Sequence, residues 1–148
     1  MGKRENIVRE VRYQMQFNGR VTPDDEFGVH MAIEAQAEAP AGIAELFAEV
    51  GHEVVYRANV ENESEGAFRI AGQLVFHGGT LNIKAEDTQA LEPVPGEALH
   101  IASVTFRIAG GTGAFAGAKG RISSLFTVDE NANFRDSQSG IIFLAESA

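Results

Sequence analysis

The sequence predicts an all-β domain closed into an eight-stranded antiparallel β-barrel with one short helix, and three observations carry that reading. Apolar and polar residues alternate with period two along almost the whole chain, the mark of half-buried strands. Only one segment has helical spacing. Roughly eight alternating runs succeed one another with short turns between them, too many for one open sheet to leave its edges harmless. Closing eight strands removes the edges and leaves an interior just wide enough for packed side chains or one small ligand.

Taken in order, the first run sets Val11, Tyr13, Met15 and Phe17 against Arg12, Gln14, Gln16 and Asn18. The second sets Phe27, Val29, Met31 and Ile33 against His30 and Glu34. Pro23, Asp24 and Asp25 between them are turn formers, so the two runs predict a hairpin. After Pro40 the spacing changes: Ile43, Leu46, Phe47 and Val50, stopped by Gly51, predict a short amphipathic helix near residues 41–50. Alternation then resumes through Val54, Tyr56, Ala58 and Val60, through Phe68, Ile70, Leu74 and Phe76, and through Leu81, Ile83 and Ala85. A loop holding Pro93 and Pro95 leads into "ALHIASVTFRI", a glycine-rich stretch, "RISSLFTV" and "NFRDSQSGIIFLA".

Composition fits one domain spanning residues 1–148. With 44% hydrophobic and 22% charged residues the chain folds without help. No apolar run of roughly 18 residues is present, so no membrane partner is expected. The net charge of −9, from 21 acidic against 12 basic residues scattered singly, opposes a nucleic-acid partner. The first residues lack the apolar stretch of a secretory signal and there is no cysteine, which together lead to the expectation of a cytoplasmic protein.

The stretch "RIAGGTGAFAGAKGRI", residues 107–122, admits two uses of glycine. Gly111 to Ala116 fit a loose dinucleotide pattern, but that pattern works only where a helix comes next and aims its N-terminus at the pyrophosphate. The next segment here is "RISSLFTV", another strand, and no P-loop lysine is present. The glycines therefore read as a tight corner, with Phe115 capping the apolar interior.

The same residues resemble the corresponding turn of the allene oxide cyclase and dirigent barrel superfamily, which shows Gly-Gly-Thr-Gly-x-Phe-x-x-Ala-x-Gly between two late strands. Gly110, Gly111, Thr112, Gly113, Phe115, Ala118 and Gly120 match it position by position. The upstream "FHGGTLNIKAED" is similar to a strand of that family, and the likeness covers residues 66–145 but not the first 50. It implies an antiparallel barrel, usually a homotrimer, whose cavity holds a hydrophobic, oxygen-bearing molecule. It further implies steering of cyclisation or coupling without a cofactor. No functional residue of the family aligns well enough to be carried over.

A site emerges from the alternation itself. Pointing the apolar face of each run inward leaves few polar residues inside: Tyr13, Tyr56, His100, Ser124, Asp136 and Gln138. A buried carboxylate needs a partner, and His100 is one candidate. Asp136 and His100 are thus expected to do general acid–base work, with Tyr13 and Tyr56 donating to a developing oxyanion. His100 also sits at a strand end, where solvent exposure fits equally well. Met15, Phe17, Met31, Phe68, Phe76, Phe106, Ser124, Phe126 and Gln138 are expected to contact the substrate. His30, His52 and His77 lack metal-ligand spacing and "PDDEFG" lacks a full calcium pattern, so neither metal nor other cofactor is expected. The function expected is a cofactor-independent isomerase, cyclase or lyase acting on a small aromatic or lipid-derived molecule, in a homo-oligomer that is a trimer or a dimer. A non-catalytic binding or dirigent-type steering protein is the alternative, and a solid interior would point instead to an assembly protein.

Overall fold

The computed structural model describes residues 7–40 and 52–146. Its strands are β1 (Ile7–Pro23), β2 (His30–Glu38), β3 (Glu53–Asn62), β4 (Phe68–Phe76), β5 (Gly79–Pro93), β6 (Leu99–Gly113), β7 (Lys119–Asp129) and β8 (Asn133–Glu146). Each pairs antiparallel with the next, and β8 returns to pair with β1, closing the barrel. Among the described residues the only helical turn is a 3-10 turn at Ser64–Gly66. The helix expected near residues 41–50 lies outside the described residues. No helix among the described residues is long and apolar enough to cross a membrane.

Period-two alternation does what the sequence predicts. Val11, Tyr13, Met15 and Phe17 of β1 are buried while Arg12, Gln14, Gln16 and Asn18 are exposed. On β8 the inward set is Phe134, Asp136, Gln138, Gly140, Ile142 and Leu144, without a bulge against either neighbour. Phe27 and Val29, expected on the inner face of the second strand, lie instead in the β1–β2 turn and are exposed. The Asp25 carboxylate accepts hydrogen bonds from the Val29 and His30 backbone N–H groups and lies 2.8 Å from His30 Nδ1. That Asx-type closure holds the chain in a turn until His30, where β2 begins.

The glycine-rich stretch builds a corner and not an anion cradle. β6 runs on through Gly113, and a register shift against β5 between Leu81↔Gly111 and Ile83↔Ile108 places Gly110 at a bulge with φ of 84°. At Gly111 a Cβ would collide with the Thr80 carbonyl oxygen. Phe115 then folds inward, fully buried, with its ring 4.9 Å from that of Phe76, and helps to close that end of the barrel.

The opposite end, where β1, β3, β5 and β7 finish, is open because β5 curls away. Two register shifts against β6, at Ala85/Asp87 and Gln89/Glu92, coil β5 outward. Its ladder with β4 stops at Ala71↔Lys84, beyond which Thr88 Oγ1 donates to the Phe68 carbonyl at 3.4 Å.

Candidate functional site

At this open end lies a cavity of about 490 Å³. Its walls are apolar, among them Met31, Ile33, Val60, Phe68, Ile70, Leu91 and Phe126, and its lip carries Glu97, His100, Asp129 and Glu130. Among the described residues no lysine or arginine lines it. The Glu97 and Glu130 turns are tied together by the Glu130 N–H donating to the Ala98 carbonyl. Asp129 turns its carboxylate to the Asn131 and Asn133 backbone N–H groups and to the Asn133 amide, and those bonds hold its carboxyl below the usual range.

Below the cavity the barrel holds a buried polar cluster. Residues two apart on a strand share a face, so Asp136 and Gln138 project inward side by side from β8, and Gln138 Nε2 donates to Asp136 Oδ2 at 2.7 Å. Across the ladder Ser124 lies opposite Gln138, and its hydroxyl donates to Asp136 Oδ1 at 2.6 Å. Burial lifts the Asp136 carboxyl to about 6, against the lowering effect of those two hydrogen bonds. Tyr56 is wedged among Phe17, Phe106 and Phe134, with ring centroids 5.6, 6.4 and 6.1 Å away. Tyr13 stands opposite Gly140, where a Cβ would overlap its ring. Burial first, and the Asp136 charge second, push both phenols well above their ordinary value, so both remain protonated donors.

The Tyr13 and Tyr56 hydroxyls and Gln138 Oε1 are buried and have no hydrogen-bond partner. Leaving such a group unsatisfied costs about 1–3 kcal/mol. The three groups form two donors and an acceptor beside a near-neutral carboxyl, a set with the chemistry to meet an oxygen atom.

The structure brings together Asp136, Ser124, Gln138, Tyr13 and Tyr56, but not His100. The expected Asp136–His100 pair does not form: Ser124 and Gln138 take the two carboxyl oxygens, and His100 is exposed on the lip opposite Val128 and Pro93. It begins a strand beside a turn, where alternation places a residue on a face without burying it. Of the expected substrate contacts, Met31, Phe68 and Phe126 line the cavity. Met15, Phe17, Phe76 and Phe106 pack in the core and do not line it, because the barrel is filled at their levels. Leu91 escaped the sequence reading because the β5 shifts erase its alternation. Val21 escaped it because "VTPDDEFG" reads as turn, although β1 continues to Pro23. Among the described residues no three His, Cys, Asp or Glu come together as a metal site would require.

No protein-family model matches this chain. No curated protein matches it either. Among solved structures it is similar to a pterocarpan synthase dirigent protein, with 16% sequence identity over 99% of this chain and 93% of the other and a TM-score of 0.63. The likeness shows a dirigent-like barrel; it does not single out an allene oxide cyclase, and at this identity it speaks for the fold alone.

Proposed function

We propose that the barrel binds a small, apolar, oxygen-bearing molecule in its mouth and promotes cyclisation, isomerisation or elimination without a cofactor, with Asp136 as the proton-transfer group. The observation that carries this is a carboxyl with a pKa of about 6 beside unpartnered phenols, directly under an apolar cavity. A near-neutral carboxyl can both give and take a proton at physiological pH. Asp136 would protonate one ligand oxygen as a bond forms or breaks and recover a proton from the ligand afterwards, so the oxidation state is unchanged. Tyr13 and Tyr56 would donate to the oxygen where negative charge grows. His100, on the lip, would contact the ligand's outer end and not the reacting atoms.

A second reading, dirigent-type steering or simple carriage, is favoured by one observation: Asp136 does not line the cavity. The fold of the solved dirigent protein accords with either role.

The first test is binding of an isosteric pair, 4-propylphenol and 3-(4-hydroxyphenyl)propanoate. With three carboxylates and no lysine or arginine among the described residues that line the cavity, the neutral phenol is expected to bind about tenfold tighter or more, a difference of about 1.4 kcal/mol. Equal binding, or none, would contradict the reading. Once a substrate is found, Asp136→Asn separates the two roles, since a catalyst keeps binding and loses turnover whereas a carrier is unaffected.

Self-association is part of the proposal. The outer face of β6, β7 and β8 presents Ile101, Ser103, Thr105, Ser123, Leu125, Ser139, Ile141 and Phe143, with Arg121 and Lys119 beside Ile141 and Phe143 and no acidic residue among them, in a chain of net charge −9. Leu125 is 53% and Phe143 40% exposed. This face would meet further copies of the chain, and Leu125→Glu is expected to yield monomers in sedimentation; a wild type that is already monomeric would refute it. The cysteine-free composition supports a cytoplasmic setting.

A further inference from the structure

We propose that Phe126 determines how deep a ligand penetrates: its ring is the partition between the mouth cavity and the Asp136 cluster, and moving or shortening it extends the cavity to that cluster. This role rests on the binding reading of the mouth and adds a specificity-determining residue to it.

The placement is particular to this side chain. Asp136 has two cross-strand partners, Phe126 on β7 and Phe17 on β1, and of these only Phe126 lines the cavity. Ser124 and Gln138, which hold the carboxyl, do not line it, nor do Tyr13 and Tyr56. A chain of aromatic rings runs inward from the wall. Phe68 meets Phe126 edge-on with centroids 6.0 Å apart, Phe126 meets Phe134 at 5.2 Å, and Phe134 meets Tyr56. Phe68 and Phe126 form cavity wall, whereas Phe134 is behind them and does not.

Beyond the partition lie the three unpartnered polar atoms, Tyr13 Oη, Tyr56 Oη and Gln138 Oε1. Once Phe126 moves aside they offer a subsite for the oxygenated end of a ligand, with phenols for a carbonyl oxygen and the Gln138 oxygen for a hydroxyl. Phe126 is one of the side chains that cover Asp136, whose burial raises its pKa.

The experiment compares wild type, Phe126→Ala and the milder Phe126→Leu, each checked for folding by circular dichroism, with carboxyl-¹³C aspartate for titration. Asp136 is expected to titrate near 6 in wild type, to move toward the ordinary carboxylate value in F126A and part of the way in F126L, as water enters. In a double-mutant cycle on 4-propylphenol binding, the change in affinity caused by Asp136→Asn should be at least about threefold larger in the F126A background than in the wild-type background. If F126A fails to fold, F126L carries both measurements with smaller shifts of the same sign. An unmoved Asp136 titration together with an additive cycle would overturn the proposal. Failure of the phenol to bind any variant, with the titration shifted as expected, would instead overturn the binding reading and leave the partition standing.

Discussion

Asp136→Asn removes a loss of stability that the wild-type barrel suffers as pH rises. The folded-state pKa of Asp136 is raised, from 3.8 to about 6, so the folded protein binds this proton more tightly than the unfolded chain does. Its contribution is therefore fully present below about pH 4 and disappears as pH climbs through 6. A shift of that size corresponds to about 3 kcal/mol. Asparagine keeps the shape and can accept from Gln138 while donating to Ser124, whose hydroxyl rotates to suit. At pH 4.5 about 2 kcal/mol of the wild-type contribution remains, so between pH 4.5 and pH 8 the difference in melting temperature between variant and wild type should move in the variant's favour by about 4–8 °C. Asp25 and Asp129, whose pKa values are lowered, titrate below this window and are common to both proteins. A difference that stays constant from pH 4.5 to 8, by calorimetry, would mean that Asp136 is solvated and unfit for the role given to it.

Gly140→Ala has an effect of similar size and opposite sign to the usual one. Replacing glycine by alanine within a strand ordinarily stabilises, because the unfolded chain loses freedom. At Gly140 the new methyl would occupy the space of the Tyr13 ring, inside a closed barrel whose β1–β8 ladder leaves neither strand free to back away. Overpacking of this kind costs about 3 kcal/mol, or a fall of about 6–12 °C in melting temperature. Tyr13→Leu should relieve it, so that the G140A/Y13L double variant is more stable than the two single losses predict. Strict additivity, measured by denaturant unfolding, would show that Tyr13 does not fill that space.

The barrel was legible in the sequence because inward and outward faces differ so sharply in polarity. Val11 to Phe17 and Phe134 to Leu144 are placed correctly by alternation alone, and so is the polar set Asp136, Gln138 and Ser124. The corner at Gly110 to Phe115 was legible too, because no helix comes after it. What escaped is whatever depends on register. Gly140 has no side chain to register in an alternating pattern, and its meaning appears only when β1 places Tyr13 opposite it. The partners of Asp136 could not be chosen from sequence, since His100, Ser124 and Gln138 all point inward by parity while only two are at its level. Nor does periodicity show where β5 coils away to leave an open mouth, because the register shifts that do this interrupt the period itself.

Whether the open end of the barrel is a ligand site can be read by methyl-resolved NMR during titration with 4-propylphenol. Saturable shifts are expected at Met31, Ile33, Ile70, Leu91 and Val128, which ring the cavity, with little change at Val11 and Leu144 near the closed end. Shifts spread over the outer face of the barrel, or none at these methyls at a saturating concentration, would show that the mouth does not take the ligand.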